Sequence, residues 1–143
     1  MKIVLDTNCL LQIIFPQSYH KEVWEAFLEQ KYVICFTNEI LFEYREIIER
    51  RTGDAQFAED VVELLLAMPN IEWLTPFYHF GLIKSDPDDN KFVDCAIAAG
   101  ATYIVSNDRH FAELRHYEFP RVDVKSLSEF MVILRHLNEL GKG

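Results

Sequence analysis

The sequence predicts an α/β fold with a mostly parallel sheet covered by helices on both faces. Two observations lead there. Short apolar runs of strand length recur along the chain without the alternation of a half-solvated strand, as in Lys2–Leu5, Tyr32–Phe36 and Tyr103–Val105. Between them lie segments with helical spacing of apolar residues, which is the pattern of strand, crossover, parallel strand. With 143 residues and no internal repeat, linker or low-complexity stretch, residues 1–143 read as one domain with a sizeable core.

The elements follow in order. Ile3-Val4-Leu5 runs straight into Asp6-Thr7-Asn8, so the first strand ends on an acid. In open α/β sheets the carboxyl ends of strands are where ligands bind. Cys9 to Phe15 reads as a short helix stopped by Pro16. Ser18 or His20 opens a second helix to about Glu29, with Val23, Trp24, Phe27 and Leu28 on its apolar stripe. After the strand Tyr32–Phe36, Thr37 or Asn38 is an N-cap for a helix that reaches about Arg51 and ends before Gly53. Asp54 starts another helix through Met68, and Ile71–Thr75 is a third strand stopped by Pro76. Phe77 to Ser85 has no clear pattern and reads as loop. The Asp86-Pro87-Asp88-Asp89-Asn90 turn opens a helix to Ala99, with Gly100 as its C′ residue. Tyr103–Val105 is the fourth strand, followed by Ser106-Asn107-Asp108 and a short helix through Leu114. Val122-Asp123-Val124 reads as a short edge strand, and Ser126 opens a last helix to about Leu140.

Charge narrows the functional classes. A formal net charge of −9 argues against broad nucleic-acid affinity through a basic face. It leaves room for an enzyme that reaches phosphate through divalent cations, and for a basic partner chain. No apolar run is long enough to span a membrane, and the strand-like start is unlike a signal peptide. Cys9, Cys35 and Cys95 form no CxxC pair and sit among apolar neighbours, which suits buried reduced thiols and a cytoplasmic location.

The acids carry the chemistry. Asp108 follows its strand much as Asp6 follows the first, so neighbouring strands would bring both to one rim; alternatively, Asp108 or Asn107 simply caps the next helix. Asp94 is the only polar side chain in Phe92–Ala99, a stretch apolar around its whole circumference. An ionised carboxylate there needs a salt bridge or a bound cation. Glu43 lies at the margin of the arc formed by Ile40, Leu41, Tyr44, Ile47 and Ile48. Asp86, Asp88 and Asp89 suit helix capping, and Asp89 is near enough in sequence to Asp94 to be an auxiliary ligand. Two such charges about 4 Å apart repel by roughly 4 kcal/mol at an effective dielectric near 20. Several on one rim therefore call for cations or altered protonation. Magnesium takes oxygen ligands and keeps several waters, whereas the lack of a His/Cys cluster argues against zinc.

Taken together, these residues resemble the PIN-domain nucleases, in particular the VapC-like toxins of type II toxin–antitoxin pairs. Val4-Leu5-Asp6-Thr7-Asn8, Glu43 within Asn38–Tyr44, the block Asp86–Ala101, and Ile104–Phe111 are similar to that family's motifs in order and context. The resemblance implies a three-layer α/β/α sandwich with about five strands. It implies Mg²⁺- or Mn²⁺-dependent hydrolysis of RNA, with one or two ions held by Asp6, Glu43, Asp94 and Asp108. Asn8 and Ser106 would orient the acids, and Lys91, Arg109 and His110 are the basic residues expected near phosphate. It further implies a cognate antitoxin, and is compatible with a homodimer or higher oligomer. A different class of function, a PIN-fold interaction module with weak or no nuclease activity, would use Phe42 and the run Phe130–Leu134 as apolar contact area. A phospho-accepting receiver-like domain would want an acid at the end of the third strand, where Thr75-Pro76 stands.

Overall fold

A computed structural model describes residues 1–75, 79–83, 87–116 and 121–141. Its centre is a five-stranded, wholly parallel sheet: β1 (Lys2–Leu5), β2 (Val33–Phe36), β3 (Ile71–Trp73), β4 (Tyr103–Val105) and β5 (Val124–Lys125), in the order β3-β2-β1-β4-β5. The helices are α1 (Thr7–Leu11), α2 (Lys21–Leu28), α3 (Asn38–Thr52), α4 (Ala55–Ala67), α5 (Asn90–Ala99) and α6 (Leu127–Gly141). They make the outer layers of an α/β/α sandwich.

The central strands are apolar because both their faces are covered. Ile3, Val4, Leu5, Ile34, Cys35, Phe36, Ile104 and Val105 are fully buried. Burying a side chain of this size is worth about 1.5–3 kcal/mol, so the three middle strands supply much of the driving force for collapse. The registers Val4↔Cys35 and Val4↔Ile104 put β1 in the middle of the sheet. Chain order runs outward from β1 to β2 and β3 on one side, then to β4 and β5 on the other. The crevice at the carboxyl ends of β1 and β4 is therefore the topological switch point, where open α/β sheets bind ligands.

Local signals set most boundaries. Thr37 Oγ1 accepts from the amide of Ile40 at 3.3 Å, and Asp54 Oδ1 accepts from that of Phe57 at 3.0 Å. Gly53 and Gly100 end α3 and α5 in the left-handed region, at φ 69° and 64°. Ser126 and Glu129 exchange side-chain bonds with each other's amides, a capping box before α6.

Three elements differ from the sequence reading. The first helix starts at Thr7, ahead of Cys9, because the Asp6 carboxylate itself accepts the Asn8 amide and caps it. The segment after Asp108 is a 3₁₀ helix, Arg109–His116. The last strand is Val124–Lys125, set by pairing with Ile104 and Val105 beyond any local preference. Residues 79–83 have no regular structure. Asp86, read as part of the turn before α5, lies outside the described residues. The three cysteines are free and buried, and burial pushes the Cys9 and Cys35 thiols up to about 12 and Cys95 upward as well. Among the described residues no helix is long and apolar enough to cross a membrane.

Candidate metal centre

Asp6 ends β1 with a carboxylate that is only 6% exposed. Its Oδ1 accepts the Asn8 amide at 2.7 Å, and its Oδ2 accepts the Ser106 hydroxyl at 2.6 Å. Ser106 leaves the end of β4, so this bond joins the two strands at the switch point. Burial holds the Asp6 carboxyl above the usual range; the bonds from Ser106 and Asn8 pull it back, and the charges of Asp108 and Glu43 push it up again. The Asp6 carboxylate thus senses two other acids.

Glu43 reaches the crevice from α3. Tyr44, next to it and fully buried, donates its hydroxyl to the Leu5 carbonyl at 2.5 Å, which pins α3 to the last residue of β1. Thr7 Oγ1 donates to Glu43 Oε2, and Lys91 Nζ lies 2.8 Å from Glu43 Oε1. Asp108 hangs from the β4 end: its amide donates to Ser106 Oγ at 3.0 Å, and its Oδ1 accepts the His110 amide at 2.9 Å. The His110 Nδ1 is 3.0 Å from that same oxygen and 3.7 Å from Asp89 Oδ2. Asp89, at the start of α5, makes no side-chain capping bond, and Asp89, Asp108 and His110 offer donor atoms within 4.8 Å of one another.

Asp94 is more deeply buried. It is 3% exposed, as an acid in an apolar helix should be. Its Oδ1 accepts the Phe80 amide at 3.0 Å and its Oδ2 faces His79 Nδ1 at 3.2 Å. Among the described residues, the donors close enough to share an ion are those of Asp89, Asp108 and His110, and Asp94 stands outside that trio as Asp6 and Glu43 do. Asp94 lines a cleft with Thr37, Leu74, His79 and Lys91, the last of which also pairs with Glu43.

The fold agrees with an independent comparison of sequences, in which a PIN domain profile matches residues 2–110. The chain belongs to the PIN-domain family. Among curated proteins no sequence matches it significantly. A chain of VapBC2 from Rickettsia felis, crystallised bound to a DNA fragment from their promoter, shares the PIN fold at TM-score 0.57 and 17% identity, covering 88% of this chain and 98% of that one. A chain of DNA-bound VapBC from Salmonella typhimurium does so at TM-score 0.56 and 19% identity, covering 89% and 98%.

Within the PIN fold, the residues singled out from sequence separate into groups. Asp6 and Asp108 line one crevice, Glu43 is near enough for its charge to act on Asp6, and the Asn8 backbone amide and Ser106 hydroxyl are bonded to Asp6. Asp89, expected as an auxiliary, stands with Asp108 and His110. Lys91 is bound to Glu43 and to the Asp88 carbonyl at 2.8 Å, so its charge is directed at the protein's own acid. Arg109 is exposed in a groove beside Asp108 that Arg121 and Lys125 also line. Two residues were not anticipated. Thr7 holds Glu43, and Arg51, from the last turn of α3, lines the crevice with Asp6, Asn8, Asn107 and Asp108. Arg51 looks like a helix C-terminal cation in sequence; only packing places it at the crevice mouth.

Proposed function

We propose that this protein is a metal-dependent endoribonuclease acting on single-stranded RNA, and the toxin of a toxin–antitoxin pair. The observation that supports this best is that Asp6 and Asp108 leave the carboxyl ends of β1 and β4, where Asp6 feels the charges of Asp108 and Glu43 and Asp108 lies close to Asp89. All four donors are hard oxygens, which suits Mg²⁺ or Mn²⁺. The raised affinity of buried Asp6 for a proton marks a negative charge in want of a cation. Asp89, Asp108 and His110 offer donors close enough to share an ion, and Asp6 and Glu43 would add their charge beside them. A divalent cation bound there supplies an activated water and offsets charge at the phosphodiester.

The protein's own residues do the rest. Ser106 and Asn8 fix both oxygens of Asp6, so that it presents its remaining lone pairs inward. Arg51 in the crevice, and Arg109 and Lys125 in the neighbouring groove, offer cations for a phosphate backbone, while Arg121 in that groove pairs with Asp123. Asp94, expected from sequence among the metal ligands, accepts the Phe80 amide and faces His79, and its place in the acidic set rests on the family resemblance. An antitoxin partner is supported by the assemblies in which the two similar folds are found, both of them VapBC complexes.

The test is cleavage of a single-stranded RNA panel with Mg²⁺ or Mn²⁺ by wild type and Asp6→Asn. Metal-dependent cleavage lost in the variant is expected; equal cleavage, or cleavage insensitive to EDTA, overturns the reading. A second reading, an interaction module, has Phe42 in its favour, 61% exposed with Arg45 over its ring at 5.4 Å. The run Phe130–Leu134 offers less, because Phe130 and Met131 are buried and Val132 is its exposed member. Failure to bind Mn²⁺ in calorimetry would favour that reading.

A further inference from the structure

Trp73 is the last residue of β3, and it is 55% exposed. The ring does not hang free. Its Nε1–H donates to Asn38 Oδ1 at 2.6 Å, and the buried Phe36 ring lies behind it, 6.4 Å away between centroids. Trp24, the other tryptophan, is instead packed against Phe27 and the core. An exposed aromatic whose orientation is already set has given up the rotamer freedom that binding would otherwise cost. Among the described residues no cation stacks on Trp73, whereas Arg45 lies over the exposed ring of Phe42.

The sheet places this ring on the rim that carries the acids. Phe36 pairs with Trp73, Val4 with Cys35 and Leu5 with Val105. Trp73, Phe36, Leu5 and Val105 therefore form one rung, a single residue short of Asp6 and Ser106. Trp73 is two strands from β1, about 10 Å by ordinary strand spacing. Thr37 and Leu74, the neighbours of Asn38 and Trp73, line a cleft that reaches Lys91, the partner of Glu43. The charges in that cleft are Glu39, Asp88 and Asp94 against Lys91 and His79. Such a wall repels phosphate, and the part of a nucleic acid that suits it is an uncharged base.

Resting on the RNA-cleavage reading above, we infer that Trp73 is a stacking platform for an unpaired nucleobase, displaced along the strand from the bond being cut. Every base has a π-face, so this contact tolerates any sequence. A base inside a duplex is already stacked on both sides, so the contact selects single strands. Asn38 is the positioning residue that holds the indole open.

The test removes the ring and the base separately. Kinetics are measured for the whole protein on a single-stranded RNA that wild type cleaves, and on copies carrying one abasic residue at each position in turn. Trp73→Ala should raise KM by roughly 5- to 150-fold, the effect of one stacked base, with kcat little changed. Trp73→Phe, which keeps a ring, should stay within a few-fold of wild type, and Asn38→Ala should fall between the two. One abasic position away from the cleaved bond should cost wild type a similar factor and cost Trp73→Ala nothing further. In a Trp24→Phe background, which leaves Trp73 as the reporter, its fluorescence should be quenched by single-stranded RNA and not by a duplex. Should Trp73→Ala melt well below wild type, Trp73→Phe, Asn38→Ala and the quenching decide. An unchanged KM in Trp73→Ala overturns the inference, as does an abasic penalty that persists there at every position. A change in sedimentation with KM unchanged would make Trp73 a contact between protein chains instead. If wild type cleaves no single-stranded RNA, the reading above fails and takes this one with it; cleavage indifferent to Trp73 sinks the stacking alone.

Discussion

Replacing Ser106 with alanine tests how the two strand ends work as one unit. Ser106 is 4% exposed, and its hydroxyl does two jobs: it donates to Asp6 Oδ2 at 2.6 Å and accepts the Asp108 amide at 3.0 Å. Ser106→Ala leaves the Asp108 amide without that acceptor, which costs about 1–3 kcal/mol at every pH. It also removes a hydrogen bond to Asp6, worth about 1.5–3 kcal/mol when the carboxylate is ionised and about 0.5–1.5 when it is neutral. The destabilisation therefore grows by about 1 kcal/mol as Asp6 ionises, or roughly 3–5 °C in Tm for a chain of this size. The sign follows from Asp6's raised pKa. Its proton adds stability that is full below the ordinary 3.8 and lost as pH rises through the higher folded value. Losing Ser106 raises that folded value further, so the variant falls away from wild type on the alkaline side. Thermal melts of metal-free protein from about pH 4 to about pH 8 measure this, in wild-type and Asp6→Asn backgrounds. A gap that is flat with pH, or one equally pH-dependent when Asp6 is already asparagine, would refute the coupling.

Three further outcomes are expected. Asp89→Asn should weaken Mn²⁺ binding by more than tenfold in calorimetry, more than Asp94→Asn does, because Asp89 lies with Asp108 and His110; the reverse order would make Asp94 the stronger ligand. Asp6→Asn should lower RNA cleavage by more than the ~10–100-fold that follows loss of an outer partner of a metal ligand, while its metal-free Tm at pH 8 should match or exceed wild type, since a buried charge is gone. Arg109→Ala combined with Lys125→Ala should raise KM for RNA with little change in kcat, and make the salt dependence of binding shallower by up to about one unit of slope for each phosphate no longer neutralised; an unchanged slope would place the backbone elsewhere.

Most of the architecture is legible in the sequence because its signals are local. The apolar runs at β1, β2 and β4, the caps at Thr37 and Asp54, and the glycines after α3 and α5 each act within a few residues of themselves. Asp6 and Asp108 are visible as acids at the ends of apolar strands, and Glu43 as an acid at the margin of an apolar arc. Asp94 shows where such reasoning stops. An acid in an all-apolar helix must find a partner, but its sequence does not name the Phe80 amide and the His79 imidazole that meet it here. Asp89 is easily underrated for the opposite reason. A carboxylate at a helix start looks like a cap, and only its distance to Asp108 and His110 shows it engaged across the sheet end.

By itself, then, the chain determined the strands, the helices and the acids at their ends, since periodicity, capping and burial are properties of neighbouring residues. The tertiary structure decided which acids share a rim, that Lys91 answers Glu43, that Ser106 spans two strands to hold Asp6, and that Arg51 stands at the crevice mouth. Those pairings join residues tens of positions apart and are set by strand order and register. A carboxylate's role depends on the charges and donors within a few ångströms of it, and at such range sequence distance carries no information.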